Sequence, residues 1–371
     1  MHVLQPGQGA YPGRHRVLST PDTVTWGYLP NAVARPVLTM ADGDTVSIDT
    51  VSHEGVLEDQ GRDPVAYFAS HGVKRDEVID DAVDIAVSGI VHDYDDDGPH
   101  VVCGPIAVSG ARPGDVLKID VLALDLRTPY GVISNRHGLG ALPGEFPETA
   151  PRLADADAAH PDRYRSVMVF SPVQQHGGGL YGVLPCGSDR QVRFPLAPFM
   201  GVMGVAPATD QPVPSVPPGS HGGNIDVNLL TVGSSLYLPV QVDQALFHVG
   251  DPHYAQGDGE VALTAMEASL RGTFRLSLVR GDEARAVVGA LTNPFDETDH
   301  AWVPMGLDAD LDEAFKKAVR AAIAFLHETQ GMERHVALAY LSAAADFEVT
   351  QVVDAVKGVH CVIRKSDFRP W

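Results

Sequence analysis

Cysteine is scarce in this sequence. The 371 residues include only Cys103, Cys186 and Cys361, and no two of them form a CxxC pair. An odd number of widely separated cysteines argues against the disulfide framework that small secreted proteins use. We therefore expect a reducing environment and predict a cytoplasmic location.

Basic residues are also few. Lysine and arginine total 27 against 48 aspartates and glutamates, which gives a formal net charge of −21. This charge would repel nucleic acid and an anionic membrane surface, so neither is an expected partner. Residues 1–17 contain no apolar run, and we expect neither a signal peptide nor a membrane span.

Several catalytic signatures are missing. The sequence has no GxSxG nucleophile motif, no GxxxxGK[ST] phosphate loop, no HExxH zinc motif and no Ser-Ser-Lys amidase signature. A GxGxxG match at residues 177–182 is followed by Pro185 and Gly187, which prevent the helix that a dinucleotide site needs. We interpret this match as a flexible turn. Any hydrolysis is then expected to use metal-bound water.

The pattern of apolar residues predicts a β-rich body. Period-2 alternation and short apolar runs between turn residues indicate strands at residues 45–49, 105–126 (interrupted by a turn at 112–115), 191–206, 236–242, 261–264 and 272–279. Glycine, proline and aspartate are abundant in residues 127–165, and we predict a long irregular segment there.

Helical spacing is confined to a few segments. A short helix is predicted over residues 76–88, and longer ones over 310–329 and 334–346, followed by a helix-to-strand transition in 352–364. We therefore predict a β body over residues 1–307 and an α/β region over 308–371 that packs on it. The candidate functional motifs are expected on loops between strands.

Metal-binding side chains are concentrated in two glycine-rich segments. The first is His221-Gly222-Gly223-Asn224-Ile225-Asp226, and the second, residues 250–260, has the sequence GDPHYAQGDGE. Together they hold two imidazoles and four carboxylates, and glycine permits the tight bends that bring such groups together. This composition suits a hydrolytic metal site. A glycine turn and an acidic hairpin tip are the alternative interpretations.

Two further segments could contribute ligands. His100 precedes a predicted strand and becomes relevant only if the fold brings it to the glycine-rich segments. Cys103 is expected to be a small buried residue rather than a nucleophile. Residues 93–98 (DYDDDG) imitate the start of a calcium-binding EF-hand loop, but Gly104 stands where the bidentate glutamate is needed. We interpret that segment as a solvated turn.

The sequence resembles the acetamidase/formamidase family along nearly its whole length. The resemblance is carried by residues 100–106, by 109–117 (SGARPGDVL), by 221–226, by 236–240 (LYLPV), and by 250–260 with Glu267 just beyond. It implies a metal-dependent hydrolase that cleaves the C–N bond of short amides such as formamide or acetamide, releasing ammonia and a carboxylate.

The resemblance also implies a fold, an assembly and a polar centre. The implied fold is mainly β, a jelly-roll-like β-sandwich with an additional C-terminal α/β subdomain, in a homo-oligomer that is a dimer or larger. The implied metal is divalent, zinc first and calcium as the alternative. By position, the polar centre consists of His100, His221, Asp226, Asp251, His253, Asp258 and Glu260.

We assign hypothetical roles within that centre. His221, Asp226, Asp251 and His253 are the main predicted metal ligands, with His100 as a further one. Glu260 is the first choice for the residue that transfers protons, and Asp258 the second. Asn224 or Gln256 would stabilise the developing oxyanion. Two alternatives stay open: a non-catalytic, metal-stabilised β-sandwich binding protein, and a hydrolase of a larger amide, a cyclic amide or a carbamate.

Overall fold

The protein is mainly β, as predicted. The computed structural model describes residues 2–136, 138–148 and 166–369. The strands, in chain order, are β1 (His15–Val17), β2 (Val24–Trp26), β3 (Tyr28–Leu29), β4 (Leu38–Met40), β5 (Thr45–Asp49), β6 (Val101–Val108), β7 (Val116–Leu126), β8 (Tyr130–Arg136), β9 (Ser166–His176), β10 (Gly179–Cys186), β11 (Arg190–Pro195), β12 (Phe199–Gly204), β13 (Val213–Pro214), β14 (Gly222–Asn224), β15 (Ser235–Pro239), β16 (Phe247–Ala255), β17 (Met266–Glu267), β18 (Leu270–Val279), β19 (Phe295–Glu297), β20 (Ala301–Asp308), β21 (Asp346–Gln351) and β22 (Lys357–Arg364).

The α-helices are short in the first part of the chain and long near its end. They are α1 (Pro64–Ala69), α2 (Asp80–Ala86), α3 (Gly281–Val288), α4 (Leu311–Gln330) and α5 (Arg334–Ala344). Short 3₁₀ helices cover Glu58–Gln60, Arg75–Glu77 and Lys365–Phe368. Among the described residues, no helix is both long enough and apolar enough to cross a membrane.

Most strands belong to two large sheets. One sheet has the strand order β1-β5-β18-β7-β15-β19-β20-β22-β21, and all its pairs are antiparallel except β1 with β5. The other has the order β11-β10-β9-β8-β17-β16-β12-β14, with β6 joined to β16 and carrying β2 and β4. Strands β13 and β3 form a separate pair.

The two sheets share one hydrophobic core. Ile48, Leu117 and Leu276 of the first sheet and Phe199 and Phe247 of the second belong to the same buried cluster. Sheets that bury their inner faces against each other in this way form a β-sandwich. The inner faces of strands β12 and β16 therefore lie deep in the molecule, where the glycine-rich segments are located.

Helices α3 to α5 pack around a second core that adjoins the first sheet. Phe325 and Leu326 of α4 join Val116, Tyr237 and Phe295 of the sheet in that core. Helix α4 begins at the Asp310 cap, whose carboxylate accepts the N–H of Glu313, and ends at Gly331 with φ 66°. A Cβ at Gly306 of β20 would lie closer than 3.0 Å to backbone atoms of α4, so this strand can approach the helix only with glycine.

Helices and strands with strong local periodicity were predicted well. Residues 45–49 form β5, and the helices predicted at 310–329 and 334–346 are α4 and α5 with slightly different ends. Of the helix predicted at 76–88, α2 covers only residues 80–86. Strand β22 covers the end of the predicted transition segment 352–364. It pairs with β20, so the chain beyond residue 308 extends the first sheet. The boundary at residues 307 and 308 stays a prediction.

Three sequence-based assignments were wrong. Residues 130–136, predicted as irregular, form β8, while residues 137 and 149–165 of that segment lie outside the described residues. Residues 261–264, predicted as a strand, form a turn. Residues 250–255, expected in a loop, belong to β16, which is buried along almost its whole length. Of the turn predicted at residues 177–182, only residues 177–178 form a turn, which joins β9 to β10, because β10 already begins at Gly179.

Candidate functional site

The site is built on β12 and β16, which are adjacent, antiparallel strands of the second sheet. Asp251 and His253 both extend from β16 towards Gly201 of β12, whose neighbours Met200 and Val202 pair with Pro252 and Gly250. A Cβ at Gly201 would lie closer than 3.0 Å to Asp226, Asp251 and His253. Glycine at this position therefore provides the space in which the two carboxylates and the imidazole meet.

His253 lies at the centre of the site. Its Nε2 atom is 3.0 Å from Oδ2 of Asp251 and 3.0 Å from Oε1 of Glu267, and its Nδ1 atom is 3.9 Å from Oδ1 of Asp226. The ring of Phe199 contacts the imidazole edge-on, with centroids 4.9 Å apart. One imidazole is thus surrounded by three buried carboxylates.

Two more imidazoles approach Asp251 from the other side. His53 Nδ1 is 3.4 Å from Oδ1 of Asp251, and His100 Nε2 is 3.7 Å from Oδ2. The Nδ1 atom of His100 lies 2.8 Å from the Ser215 hydroxyl, which holds the ring so that Nε2 points inward. Such an outer hydrogen bond is the usual way in which a ligating histidine is oriented.

Glu260 and Asp354 complete the cluster. Glu260 comes from the turn after β16, and its Oε2 atom is buried without a hydrogen-bond partner. Asp354 comes from the β21–β22 connection, and its carboxyl group faces that of Asp226. The cluster, as we use the term below, consists of His53, His100, Asp226, Asp251, His253, Glu260, Glu267 and Asp354; each of these residues is buried.

Glu54 supports His53 from outside the cluster. Its Oε1 atom lies 3.4 Å from His53 Nε2, and Arg136 donates to both its oxygens at 2.6 and 3.1 Å. The Ser134 hydroxyl adds a hydrogen bond of 2.7 Å. Arg136 also donates to Asp59, so its charge is neutralised by two carboxylates that do not belong to the cluster.

The backbone is unusual at three of the cluster carboxylates. Asp226, Asp251 and Glu260 have φ values of 51°, 49° and 45°. Left-handed backbone is uncommon for residues with a Cβ, and where it persists the surrounding structure has to enforce it. These conformations direct three acidic side chains into one buried volume.

The buried carboxylates differ in how readily they ionise. Burial opposes ionisation of Asp251, but the adjacent His253 and His100 outweigh it and hold its pKa well below the usual range. Burial raises the pKa of Asp226 to about 7 and that of Glu267 to about 7, although His253 opposes both shifts. For Glu260, burial and the neighbouring Asp226 and Asp354 raise the pKa well above its ordinary value.

The imidazoles show the opposite balance. Burial alone would lower the pKa of His53, but Asp251, Glu54 and Glu267 raise it to about 10. Glu267 and Asp251 likewise keep the pKa of His253 well above its ordinary value despite burial. His100, which faces a single carboxylate, has a pKa lowered by burial to about 4. The carboxyl groups of the cluster therefore stabilise protons, and positively charged groups in general, within it.

Five carboxyl groups share this volume with three imidazoles. Across residues 2–136, 138–148 and 166–369, no lysine or arginine comes within 4.0 Å of those five groups. Although several of these atoms lie 3.0–3.9 Å apart, many form no hydrogen bond of acceptable geometry, among them both ring nitrogens of His53 and His253 and both oxygens of Glu267. Buried polar atoms are rarely left unpaired, and an ion or water is a common explanation.

The donor atoms fit a divalent metal ion. Within the cluster, three sets have ligand atoms within 4.8 Å of one another: His53, His100 and Asp251; Asp226, His253 and Glu260; and Asp251, His253 and Glu267. Imidazole nitrogen combined with carboxylate oxygen is a zinc-type donor set. If the first set holds the ion, Glu260 and Asp226 are not ligands. The cluster can then supply metal ligands and, separately, a free carboxylate.

Six residues singled out from the sequence do meet at this site. His100, Asp226, Asp251, His253 and Glu260 belong to the cluster, and Asn224 lines the cavity beside it, with its buried Oδ1 atom unpaired. Five of the seven residues of the predicted polar centre thus lie together, with Asn224 beside them, while their individual roles stay predictions. Tyr254, next to His253, points away and bonds to Thr128.

His221 lies apart from the cluster. Its ring packs over Gly219 and Gly223. A positive charge on this ring would lower the pKa of His248 rather than interact with a carboxylate. Burial lowers the pKa of His221 to about 4. None of the three cluster ligand sets includes it, so the structure does not place His221 with the other predicted ligands.

Asp258 and Gln256 also lie outside the cavity. Asp258 is exposed, accepts a hydrogen bond of 3.0 Å from Asn228, and faces Glu348 and His360. Gln256 donates to the backbone carbonyl of Asp226 at 2.8 Å, which supports that residue's unusual φ. The geometry thus separates Asp258 from Glu260, although the two are neighbours in the sequence motif.

Sequence reasoning missed His53, Glu267 and Asp354 as site residues. Glu267 was visible beside the second motif, and its place on β17 opposite His253 results from strand pairing. His53 follows β5 in a Ser-His-Glu-Gly segment that could have been noted as a polar turn after a strand. For Asp354 we find no local signal, because an aspartate in a C-terminal connection has no distinguishing context.

The fold and this buried cluster define a β-sandwich protein with a candidate hydrolytic metal site. The model of the acetamidase/formamidase family matches residues 87–214 and 210–364. The chain belongs to that family.

Individual relatives agree with this assignment. A formamidase of Methylophilus methylotrophus is 31% identical over 206 residues, covering 46% of this chain and 49% of the relative. An acetamidase of Mycolicibacterium smegmatis is 27% identical over 247 residues, covering 55% and 59%. The chain thus spans about half the length of the curated relatives it matches. The crystal structure of an acetamidase from Bacillus halodurans has a TM-score of 0.68 at 25% identity, covering 95% of this chain and 98% of that one.

Proposed function

We propose that this protein is an amidase that hydrolyses the C–N bond of primary carboxamides, the class that includes formamide and acetamide, to a carboxylate and ammonia. The observation that carries the proposal is the cluster itself. It gathers five buried carboxyl groups and three imidazoles without a lysine or arginine partner among the described residues. Membership of the acetamidase/formamidase family supports the same reaction.

We propose further that the cluster holds a divalent cation, zinc first and calcium as the alternative. Either His53, His100 and Asp251 or Asp251, His253 and Glu267 would hold it. When bound, such an ion polarises a carbonyl oxygen and lowers the pKa of water. This help matters for an amide because resonance makes its carbonyl carbon a poor electrophile.

Glu260 is suited to carry protons during the reaction. Its Oε2 atom is buried and unpaired, and its pKa is raised by burial and by Asp226 and Asp354. A carboxylate with a raised pKa is a stronger base than an exposed one, so it is suited to accept a proton from an attacking water and to return it later. We propose that Glu260 passes this proton to the departing nitrogen, which leaves as ammonia.

Asn224 is suited to bind the substrate carbonyl. Its side chain lines the same cavity as Asp251 and Glu260 and is 2% exposed. An amide N–H aimed at a developing oxyanion stabilises the charge in a site from which water is excluded. Gln256, the other predicted candidate, uses its amide nitrogen on Asp226.

Ammonia release from formamide, acetamide and larger amides tests the proposal. We expect release that disappears after dialysis against a chelator and returns with zinc, together with metal in elemental analysis of the purified protein. A non-catalytic binding protein would instead lose melting temperature on chelation and release no ammonia in either state. Ammonia release that persists in protein shown to be free of metal would contradict the metal but not the amidase.

A further inference from the structure

The cavity beside the cluster is much larger than a short amide. Its volume is about 430 Å³. A water molecule occupies roughly 30 Å³ in the liquid, and acetamide has only four non-hydrogen atoms. A cavity of this size lies in the range of roughly 300–1,000 Å³ that accommodates drug-sized ligands. Most of the space therefore lies beyond the reacting carbonyl.

Two chemically different groups of residues line the cavity. One group consists of cluster residues and Asn224. The other, which we call the apolar wall, consists of Leu57, Tyr94, Leu139, Val216, Leu263 and Val353. These residues come from separate parts of the chain, so the apolar surface is a product of the tertiary fold. An apolar lining combined with a few convergent polar groups is the usual composition of a small-molecule site.

Two residues of the apolar wall adopt energetically unfavourable arrangements. Leu263 has φ 110°, a backbone conformation that residues with a Cβ rarely adopt. Leu139 is 57% exposed, which leaves a large apolar side chain in contact with water. An apolar ligand that covers such surface gains free energy in proportion to the area removed from water.

The cavity also disfavours negative charge. Asp95 and Asp97 lie on its wall in addition to the cluster carboxylates. Arg136 is the sole arginine or lysine among the described residues that line it, and both Glu54 and Asp59 already pair with that arginine. A carboxylate on the substrate would therefore meet the like charges of Asp95 and Asp97, and among the described lining residues it would find no unpaired lysine or arginine.

We infer that the apolar wall is an acyl-binding subsite, and that the substrate is a primary amide with a bulky, apolar acyl group that carries no negative charge. This inference rests on the proposed amidase function. The proposed function concerns only the amide group, which would react at the cluster. The inference adds a binding site for the acyl group, the remainder of the substrate. Phenylacetamide has the required size and chemistry and serves as the probe.

Values of kcat/KM for ammonia release test the subsite. The panel consists of acetamide, hexanamide, phenylacetamide and the 4-carboxylate derivative of phenylacetamide, with the zinc-loaded protein. One well-placed methylene changes kcat/KM by about 10–200-fold. We therefore expect phenylacetamide to exceed acetamide by on the order of 100-fold, hexanamide to lie between them, and the carboxylate derivative to fall at least about tenfold below phenylacetamide.

A matched pair of variants locates the effect. Leu139→Asp places a charge on the apolar wall at an exposed position, so it should lower the ratio of phenylacetamide to acetamide by about tenfold without unfolding the protein. Leu142 is 48% exposed in the same segment and does not line the cavity. Leu142→Asp should leave the ratio unchanged.

The outcomes separate the inference from the proposed function. Equal or better activity on acetamide than on phenylacetamide would overturn the subsite and leave the amidase standing. An equal loss of the ratio in both variants, or full activity on the carboxylate derivative, would overturn it as well. No ammonia from any amide, with zinc bound, would refute the amidase and the subsite together.

Discussion

The Glu260 carboxyl group shows how a single residue acquires a chemical role from its surroundings. It is 6% exposed, and its neighbours are Asp226, Asp354, His253 and Glu267. Two residues earlier in the chain, Asp258 is solvated and hydrogen-bonded to Asn228. The sequence motif contains both acids, and only burial distinguishes the proposed proton carrier from the surface carboxylate.

At this scale we predict the effect of Glu260→Gln. The substitution keeps the shape of the side chain but removes its ability to take a proton, so kcat should fall by on the order of 10²-fold or more. Metal content, measured by elemental analysis, should stay nearly intact because other cluster residues can supply the ligands. Asp258→Asn is the matched comparison and should retain turnover within a few-fold. Unchanged turnover in Glu260→Gln would remove Glu260 from the proposed role.

At the scale of elements, the site depends on the close pairing of β12 and β16. Strand β12 is buried throughout and presents Gly201 to the point where Asp226, Asp251 and His253 converge. The atoms that a Cβ there would meet lie at or near the ends of side chains rather than in the backbone. A methyl group at this position would therefore displace the functional groups more than the strands.

We accordingly predict that Gly201→Ala disables the site while the fold survives. Misplacement of catalytic groups by about 1 Å can reduce turnover by on the order of 10²-fold, and overpacking costs about 1–3 kcal/mol of stability. Ammonia release and denaturant unfolding measure the two effects. Gly257→Ala is the control, since a Cβ there meets nothing within 4 Å. Wild-type turnover in Gly201→Ala would contradict the geometry of the cluster.

At the scale of the whole molecule, Asp296 should affect how stability depends on pH. This residue lies in the first sheet, away from the cluster. It is fully buried on β19, and neither carboxylate oxygen has a hydrogen-bond partner. Burial raises its pKa well above the ordinary value. The folded protein thus binds this proton over a pH range in which the unfolded chain has released it, and stability falls as pH rises through that range.

We predict that Asp296→Asn removes this pH dependence. Above the unfolded aspartate pKa of about 3.9, the free energy of unfolding of the variant should increase relative to that of the parent by about 1.4 kcal/mol for each pH unit. This increase should end at the raised pKa of Asp296 in the folded parent. Denaturant unfolding of both proteins between about pH 4 and about pH 8 measures the difference. Asp299→Asn, at an exposed turn, should show no such gain; a constant difference between parent and Asp296→Asn would refute the prediction.

Two predictions about the whole molecule await their own measurements. A homo-oligomer would be detected by light scattering of the purified protein, and the cytoplasmic location by fractionation of cells that express it. Neither follows from the fold of one chain. The amide substrate, by contrast, is tested directly by the assays above.

The sequence determined the features that depend on neighbours along the chain. Helix α4 was predictable because its cap, its alanine stripe and its terminal glycine are all local. The family resemblance was predictable because residues 221–226 and 250–260 keep their order and spacing. The location of six site residues followed from those segments and from His100.

Tertiary structure alone decided which polar groups meet. Strand pairing placed Glu267 beside His253 and left Asp258 at the surface, and the β21–β22 connection brought Asp354 against Asp226. The same long-range packing gathered the apolar wall from six distant positions. Contacts of this kind have no periodicity in the chain, because they are made between residues whose separation is set by the whole fold.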